Sequence, residues 1–503
     1  MAATRPAKRI GENRASTQAG MFYFRRDRGS YLLTNDWGHF ARLSEKDFKR
    51  LLADKLKPKD ALWRQLQAKG FIRDHLDFNG LVRDFRGANS YLFRGPSLHI
   101  LVATLRCNHA CLYCQSGAEK LSRTDTDMSL ETAKAAVDFV FQSPSPDLTI
   151  EFQGGEPLLN WPVVQFAIRY ARARNAAENR KLHLALVSNL SVMDEAKLKV
   201  LLDHEVSLCT SLDGPAGLHD RNRAFSGGSS HERVERWIGE IMRRHDTGQA
   251  PHRKIFKPSA LMTATRLSLP HWREIVDEYA RLRLQDVFLR PLSPIGHARR
   301  VRDQLGYAPA EYLEFYRRAL DYILELNASG TRIVERGSAI LLARILQRRD
   351  PGFVDLRSPC GAAVGQLAFD HDGGIYTCDE GRMVARQGDP IFRLGRLGRT
   401  SYRELLSSPA CRVVCAASNL DGQPSCSRCV YKPYCGVCPV HSYETQGSLW
   451  GLMPAADYCA IRKGMFDILF ERIDRPRSLE IFEDWLRPGQ GEEHDRAERP
   501  ARA

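Results

Sequence analysis

The sequence predicts an α/β fold, because strand-like apolar runs alternate with segments of helical periodicity through the middle of the chain. Crossover connections of this kind are right-handed and leave neighbouring strands parallel. The chain contains six such β/α units, and a closed eightfold barrel needs more, so we expect a partial, open (β/α)6 barrel. The expected strands are residues 98–104, 148–152, 182–187, 206–212, 258–263 and 286–290.

Smaller parts lie on either side of the barrel. Apolar runs at 22–24 and 31–33 predict a hairpin with its turn near Gly29, and the segment 44–47 predicts the start of a helix. The predicted parts are a disordered tail (1–18), an N-terminal α+β module (19–92), the barrel (93–305), a helical bridge (306–357), a cysteine-rich domain (358–475) and a charged tail (476–503).

Composition and cysteine usage indicate the cellular compartment of the protein. The 503 residues are 43% hydrophobic, yet no stretch approaches the roughly 20 apolar residues that span a bilayer. Residues 1–9 lack the apolar segment of a secretory signal. The 13 cysteines are odd in number and cluster at metal-type spacings, which favours a reducing compartment over a disulfide framework. We therefore expect a cytoplasmic protein without a membrane partner.

The formal net charge of +14 raises the alternative of nucleic-acid binding. The basic residues are dispersed, however, and only the segments 5–14 and 243–257 are locally basic. Neither segment has the regularly interleaved aromatic residues on which single-stranded bases stack. A solvated basic surface or an acidic peptide partner explains the charge better than a nucleic-acid partner.

The most informative motif is a Cys-x3-Cys-x2-Cys loop directly after the first barrel strand, formed by Cys107, Cys111 and Cys114. Three thiolates on a four-iron cluster leave one iron free for an exogenous ligand. A structural zinc loop is the alternative, although such loops usually close with a fourth Cys or His nearby. Only His109, inside the loop itself, offers that fourth ligand.

Two further features carry a family resemblance: Tyr113 before the third cysteine, and a Gly-Gly-Glu-Pro motif after the second strand. The chain resembles radical S-adenosylmethionine (SAM) enzymes in both. The resemblance implies that the cysteine loop holds a 4Fe–4S cluster whose open iron binds SAM, which is cleaved to methionine and a 5′-deoxyadenosyl radical. It also implies that the motif binds the methionine amino group of SAM, through Gly154, Gly155, Glu156 and Pro157.

The ends of the third and fourth strands offer further polar groups where open α/β sheets bind ligands. Ser188 is the candidate for the SAM carboxylate or ribose. Asp213 is a second candidate, and its position before Gly214 is explained equally well by a turn.

The C-terminal third contains a second cysteine system, which resembles a SPASM domain. That resemblance implies two auxiliary 4Fe–4S clusters, through which the product electron leaves. The position that usually supplies the fourth proximal ligand is Gln366, so Cys411, Cys415 or the substrate could close that cluster, or its iron could stay open. A zinc ribbon is the alternative for 426–438, where only two residues separate the last two cysteines. The implied ligands are Cys426, Cys429, Cys435 and Cys459 for the distal cluster and Cys360, Cys378 and Cys438 for the proximal one.

Asp379 directly follows Cys378, and in some sulfatase-maturating relatives the aspartate at this position removes a proton from the substrate radical. A partly desolvated carboxylate beside an anionic cluster would have a raised pKa, which suits a general base. A surface aspartate is the alternative.

The segments 31–36, 43–47 and 89–92 look most like the maturases of the His-Xaa-Ser peptide system. This resemblance implies a ribosomal peptide or small protein with His-Xaa-Ser repeats as substrate, an oxidative modification such as a cross-link, and an electron donor such as flavodoxin or ferredoxin. The N-terminal module is similar to winged-helix-like peptide-recognition elements, or is a packing extension of the barrel. The alternatives are a formylglycine-forming sulfatase maturase, and a zinc or iron–sulfur protein that binds nucleic acid.

Overall fold

A computed structural model of the chain describes residues 18–73, 76–248 and 254–487. These residues form two compact units; the first runs to Ala88 and includes Arg428–Tyr434, and the second contains the rest. Except for Gln18, the predicted disordered tail lies outside the described residues. No helix within the three described ranges is long and apolar enough to cross a membrane.

The first unit is a small antiparallel sheet with helices, as the sequence predicts. The N-terminal end of its first helix is capped by Ser44, whose side chain accepts a hydrogen bond from the backbone N–H of Asp47. The helix buries Phe48 and Leu51 on one face. The elements are β1 (Tyr23–Asp27), β2 (Ser30–Thr34), β3 (Phe40–Ser44), α1 (Glu45–Leu52), α2 (Ala61–Ala68) and α3 (Phe78–Ala88).

The segment Arg428–Tyr434 completes this unit from the far end of the sequence. The hydroxyl of Thr34 donates to the carbonyl of Val430 at 2.6 Å, and Lys432 Nζ donates to the Tyr23 hydroxyl at 2.8 Å. The hydroxyl of the fully buried Tyr434 donates to the carbonyl of Gly38. The predicted cysteine-rich domain (358–475) includes this segment, and no local pattern in the sequence indicates these contacts.

The second unit is built on a nine-stranded sheet, in the order β12 (Leu289–Pro291), β10 (Ser259–Ala264), β8 (Val206–Ser211), β7 (Lys181–Ser188), β6 (Asp147–Gly154), β4 (Leu98–Thr104), β14 (Gln366–Phe369), β15 (Gly374–Tyr376) and β16 (Arg393–Arg396). Its first six strands are parallel and confirm the six predicted strands, although the sixth is split into β11 and β12. The elements are α4 (Tyr91–Arg94), β4 (Leu98–Thr104), β5 (His109–Cys111), α5 (Leu130–Val140), β6 (Asp147–Gly154), α6 (Trp161–Glu178), β7 (Lys181–Ser188), α7 (Glu195–Asp203), β8 (Val206–Ser211), α8 (Ala216–Asn222), β9 (Arg223–Phe225), α9 (Ser230–Thr247), β10 (Ser259–Ala264), α10 (Trp272–Arg281), β11 (Asp286–Val287) and β12 (Leu289–Pro291).

Side-chain alternation along the strands sets the two faces of this sheet. On β6, Leu148, Ile150 and Phe152 are buried in the core shared with α5 and α6. The intervening residues, Thr149 and Glu151, therefore face the opposite side of the sheet. The polar side chains of the site lie on that side of the sheet and at the strand ends.

The C-terminal part extends the sheet and then folds over it in helices. β14 pairs in parallel with β4, and the hairpin of β15 and β16 continues from it, which the sequence did not predict. The elements are α11 (His297–Arg300), α12 (Arg302–Leu305), α13 (Pro309–Ala328), β13 (Val334–Glu335), α14 (Arg336–Leu346), β14 (Gln366–Phe369), β15 (Gly374–Tyr376), α15 (Asp379–Ala385), β16 (Arg393–Arg396), α16 (Tyr402–Leu406), α17 (Pro409–Ala417), α18 (Pro439–Gln446), α19 (Asp457–Ile473) and α20 (Pro476–Trp485).

One boundary needs correction. The charged tail predicted from residue 476 begins with helix α20, which buries Phe482 and Trp485. These two aromatic side chains are spaced so that they share one face of the helix. Their burial stabilises the helix more than the charged residues between them destabilise it. Residues 488–503 of the predicted tail lie outside the described residues.

Candidate active site

The structure brings Cys107, Cys111 and Cys114 together at the end of β4. Burial raises the pKa of Cys107 to about 12, and the neighbouring thiols of Cys111 and Cys114 also contribute to the increase. Burial likewise raises the pKa of Cys111 to about 11. Three thiols on one loop are the donor set that the predicted cluster needs, so these residues fit it. Among the described residues, no three His, Cys, Asp or Glu side chains are placed to hold a single metal ion.

Backbone pairing fixes this loop from two sides. Strand β5, which contains Cys111, pairs with β9, and the backbone N–H of Cys107 donates to the carbonyl of Glu119 at 3.0 Å. His109 Nε2 lies 2.8 Å from Ser230 Oγ, and its Nδ1 lies 2.9 Å from the side-chain nitrogen of Asn189. Both ring nitrogens therefore have protein neighbours, which weakens the reading of His109 as a fourth zinc ligand.

The Gly-Gly-Glu-Pro motif packs directly on the chain that enters the cysteine loop. Gly155 N–H donates to the carbonyl of Thr104 at 2.9 Å, and Glu156 N–H donates to that of Arg106 at 2.8 Å. Gly154 has a φ of 141°, and a Cβ on it would lie 2.1 Å from the Thr104 oxygen. The glycines are therefore required by this close backbone approach.

We expect Gly154→Ala to destabilise the second unit by about 3 kcal/mol or more, because the methyl group meets backbone and the φ value is strained for alanine. The thermal unfolding midpoint and the iron content after reconstitution should both fall. Gly217→Ala is the matched control, since nothing lies within 4 Å of its added Cβ in α8. Equal behaviour of the two variants would contradict this account of the motif.

The carboxylate of Glu156 is fully buried and binds the end of β7. It accepts hydrogen bonds from Ser188 Oγ at 2.8 Å, from Asn189 N–H at 2.8 Å and from Leu158 N–H at 2.9 Å. Two of the predicted SAM-binding residues, Glu156 and Ser188, are thus brought together. Burial raises the pKa of Glu156 to about 7, although these three hydrogen bonds oppose the increase.

This raised pKa predicts a pH dependence of stability. The unfolded carboxyl, with its ordinary pKa of 4.5, releases its proton at lower pH than the folded one. The free energy of unfolding should therefore decrease by about 3 kcal/mol as the pH rises from about 4.5 to about 7. Urea unfolding at several pH values should show this slope, and Glu156→Gln should remove it. The exposed Glu325 provides the control, because Glu325→Gln should leave the slope intact.

Asp213 is also fully buried, and its carboxylate is held by two neighbours from the cysteine loop region. The Tyr113 hydroxyl donates to both of its oxygens, at 2.8 and 2.6 Å, and Arg223 Nε lies 3.2 Å from Oδ2. The guanidinium of Arg223 also lies over the Tyr113 ring, 5.2 Å from the ring centroid. Asp213 therefore links the fourth strand to the loop, while its role toward SAM stays a prediction.

A cavity of about 1150 Å³ opens beside the cysteine loop. Its wall contains all three loop cysteines, Phe225 of β9, and Met383 of α15. The cavity therefore offers room for a cofactor and a large substrate between the loop and α15.

Two charged residues that the sequence analysis missed share one face of the sheet. Burial raises the pKa of Glu151 on β6, Asp379 adds to the increase, and Arg290 on β12 opposes it. Three strands separate β6 from β12 in the sheet order. The charge of Arg290 nevertheless acts on Glu151, which indicates that the sheet curves toward the face that both side chains share. Alternation along β6 was the available signal, since Glu151 lies between the buried Ile150 and Phe152.

Helix α15 connects this region to the second cysteine system. Asp379 accepts a hydrogen bond at 2.7 Å from Nε of Arg382, whose side chain is 0% exposed. Both terminal nitrogens of Arg382 donate to the carbonyl of Ser116, two residues after Cys114. Asp379 is thus buried and paired with an arginine, which differs from the surface position considered as its alternative. Its role as a base stays a prediction.

The predicted auxiliary ligands fall into three places. Cys360, Cys378 and Cys438 share one apolar cluster. Burial raises the pKa of Cys360 and of Cys378, and Cys438 adds to both increases. Cys426 and Cys459 pack on a second cluster with Val437, and Cys435 lies near Arg462 and Tyr458 of α19. Cys429 belongs to Arg428–Tyr434, in the first unit.

Residues 101–245 match the model of the Radical SAM superfamily. The chain carries a radical SAM domain. The match includes the cysteine loop, the Gly-Gly-Glu-Pro motif and the fourth strand, and it identifies the chain as an S-adenosylmethionine-dependent enzyme. The zinc reading of Cys107, Cys111 and Cys114 loses its basis, because the radical SAM domain accounts for the loop and the motif together.

Relatives of the radical SAM domain and the surrounding chain include a cysteine-type anaerobic sulfatase-maturating enzyme of Clostridium perfringens. It is 23% identical over 294 residues, covering 56% of this chain and 75% of the relative. An uncharacterized protein of Archaeoglobus fulgidus is 24% identical over 364 residues, covering 72% of this chain and 77% of the relative.

Solved structures confirm the predicted fold class. The native anaerobic sulfatase-maturating enzyme with bound AdoMet (anSMEcpe) has a TM-score of 0.62 at 21% identity, covering 77% of this chain and 99% of that one. Streptococcus suis SuiB bound to its precursor peptide SuiA has a TM-score of 0.52 at 14% identity, covering 86% of this chain and 97% of that one. The likeness extends beyond the radical SAM domain into the cysteine-rich C-terminal part.

Proposed function

We propose that this enzyme oxidises a residue of a ribosomal peptide or small protein, leaving a cross-link or another oxidative modification. The observation that carries the proposal is the large cavity bounded by the cysteine loop and by α15, the helix that Cys378 caps. Substrates of peptide size need such an opening. The SuiB structure contains a bound precursor peptide, and anSMEcpe has also been solved with a peptide, which supports this substrate class.

Each group of candidate residues has its own role in the proposed reaction. Cys107, Cys111 and Cys114 would hold the SAM-binding cluster, and SAM bound there supplies a 5′-deoxyadenosyl radical that abstracts hydrogen. Glu156 and Ser188 would orient SAM from the end of β7. Asp379, held by Arg382, would accept the proton that the substrate radical releases. The same proposal includes two auxiliary clusters, a flavodoxin or ferredoxin as electron donor, His-Xaa-Ser repeats in the substrate and a cytoplasmic location.

The test is anaerobic turnover of the reconstituted enzyme with SAM, a chemical reductant and candidate peptides encoded near its gene. We expect 5′-deoxyadenosine and a peptide that has lost two hydrogen atoms, both absent from the Cys107→Ala/Cys111→Ala/Cys114→Ala variant. Asp379→Asn should still cleave SAM but convert little peptide. Full peptide conversion by Asp379→Asn would contradict the role of this carboxylate as the base.

A formylglycine-forming maturase is the second candidate, supported by the Clostridium perfringens relative. It would produce an aldehyde from a Cys or Ser of a sulfatase peptide. A carbonyl-reactive probe distinguishes the two candidates, because a cross-linked peptide does not react with it. Tight, salt-sensitive nucleic-acid binding without SAM cleavage would instead support the binding-protein alternative and contradict both.

A further inference from the structure

The side-chain amide of Asn189, the residue directly after β7, is held in one orientation by Ser191. Asn189 Oδ1 accepts hydrogen bonds from the backbone N–H of Ser191 at 2.9 Å and from its hydroxyl at 2.6 Å. Because a backbone N–H can only donate, the amide oxygen points to Ser191 and the amide nitrogen, Nδ2, points to the cysteine loop. There Nδ2 faces three acceptors: His109 Nδ1 at 2.9 Å, Asn108 Oδ1 at 3.1 Å and Cys107 Sγ at 3.8 Å. Its two hydrogens cannot serve all three.

A second chain of hydrogen bonds determines which nitrogen of His109 carries a proton. It begins at the backbone N–H of Asp213, which donates to His219 Nδ1 at 3.2 Å. Both histidine rings are buried, and burial lowers the pKa of His109 to about 4 and that of His219 well below its ordinary value, so both are neutral. The single proton of His219 is therefore on Nε2. This nitrogen lies 2.9 Å from Ser230 Oγ, which in turn lies 2.8 Å from His109 Nε2.

The hydroxyl of Ser230 transmits this proton order to His109. Ser230 is 1% exposed, and among the described residues the two histidine rings are the polar neighbours of its hydroxyl. Since Ser230 accepts from His219, its own hydrogen is left to donate to His109 Nε2; otherwise a buried donor would stay unsatisfied. The proton of His109 is then on Nδ1, from which it donates to Asn108 Oδ1 at 3.1 Å. A protonated Nδ1 cannot accept a hydrogen bond from Asn189.

Two acceptors therefore remain for the two hydrogens of Asn189 Nδ2, namely Asn108 Oδ1 and Cys107 Sγ. We propose that Asn189 is a positioning residue whose side chain donates a hydrogen bond to the Cys107 thiolate that ligates the SAM-binding cluster. Charge strengthens a hydrogen bond, so the thiolate binds this donor more tightly than the thiol does. The chain from His219 through Ser230 directs the amide of Asn189 to sulfur, because it removes the ring of His109 as a competing acceptor.

The consequence of this hydrogen bond is a higher reduction potential of the cluster. Hydrogen bonds to the sulfurs help to set that potential, because reduction adds negative charge that N–H donors stabilise. The backbone N–H of His109 already donates to Cys107 Sγ at 3.4 Å, and Asn189 adds a second donor. The backbone N–H of Asn189 donates separately to Glu156 at 2.8 Å, so replacing the side chain leaves this contact in place. The inference rests on the proposed cluster in the cysteine loop and is independent of the peptide substrate.

The experiment is a redox titration of the reconstituted full-length enzyme, followed by EPR without any peptide. The cluster in the cysteine loop is identified by the change in its signal when SAM is added. We expect a more negative midpoint potential in Asn189→Ala and in Asn189→Asp, which keeps the shape of the side chain and the acceptor for Ser191. Asn189→Ala should keep the iron content and the dissociation constant for SAM.

Ser230 provides a second, independent comparison. Ser230→Ala should shift the midpoint potential in the same direction, because His109 can then carry its proton on Nε2 and accept from Asn189. Ser230→Thr keeps the hydroxyl and should restore the potential of the unsubstituted enzyme. Asn175→Ala is the matched control, since this asparagine also makes two hydrogen bonds, to the backbone of Arg180, near the C-terminal end of α6. Its potential should stay unchanged.

Three results would overturn the proposal. The first is an unchanged midpoint potential in both Asn189 variants. The second is weaker SAM binding by Asn189→Ala at an unchanged potential, which would show that the side chain contacts SAM in place of Cys107. The third is an equal shift in Ser230→Ala and Ser230→Thr, which would exclude the hydroxyl as the group that orders the protons. Because no peptide is present, none of these results bears on which peptide the enzyme modifies, and failure to convert a peptide leaves the comparison of potentials intact.

Discussion

Replacing Arg382 with methionine should destabilise the second unit by about 3–5 kcal/mol, because it breaks a buried ion pair by removing one partner. Asp379 is 6% exposed and would keep a buried charge without its guanidinium. The carbonyl of Ser116 would lose both donors at the same time. The thermal unfolding midpoint of the reconstituted enzyme is the measurement.

A double-mutant cycle separates the ion pair from the volume change. Adding Asp379→Asn to Arg382→Met should recover part of the loss, since the unpaired charge disappears. The exposed Arg393 provides the control, and Arg393→Met should change the free energy of unfolding by no more than about 0.5 kcal/mol. Strictly additive effects of the two substitutions would show that Asp379 and Arg382 are not coupled.

Asp213→Asn should have a comparable effect, about 3–5 kcal/mol, because it leaves the guanidinium of Arg223 buried without its counter-charge. The effect should extend to the cluster. Tyr113 adjoins Cys114, and Arg223 begins the strand that pairs with Cys111, so both anchor the loop through Asp213. Iron content after reconstitution and the unfolding midpoint should therefore decrease together.

The double variant Asp213→Asn/Arg223→Met distinguishes this anchoring role from SAM binding. If Asp213 acts through Arg223, removing both charges should partly restore the iron content and the midpoint. If Asp213 instead contacts SAM, the iron content of Asp213→Asn stays normal and only the dissociation constant for SAM increases. Asp125→Asn is the control, because Asp125 forms an exposed pair with Arg123, so this variant should keep the iron content and the midpoint of the unsubstituted enzyme.

The strands and the cysteine loop could be predicted because their signals are local. Each barrel strand is an apolar run with helical segments on either side, and the three cysteines stand within eight positions of one another. The pairing of β14 with β4 could not be predicted in this way, since it joins residues 366–369 to residues 98–101. Register between such distant segments depends on how the whole chain folds.

The partners of the candidate residues were also missed, for two different reasons. Arg223 lies in β9, which pairs with the cysteine loop, and no local pattern indicates either that pairing or the ion pair with Asp213. Arg382, in contrast, stands three positions after Asp379 in one helix, a spacing at which opposite charges meet. This spacing is visible in the sequence, and it indicates that the Asp379 carboxylate is paired with Arg382.

The segment Arg428–Tyr434 also determines when the N-terminal unit can be finished during synthesis. Thr34 and Val430, joined by one hydrogen bond, are 396 positions apart. At a translation rate of roughly 5–20 residues per second, about 20–80 s pass between the synthesis of these two residues. Through that interval β2 has been synthesised, but the segment that contains Val430 has not. The contacts of Arg428–Tyr434 with β2 can therefore form only after the radical SAM domain between them, residues 101–245, has been synthesised.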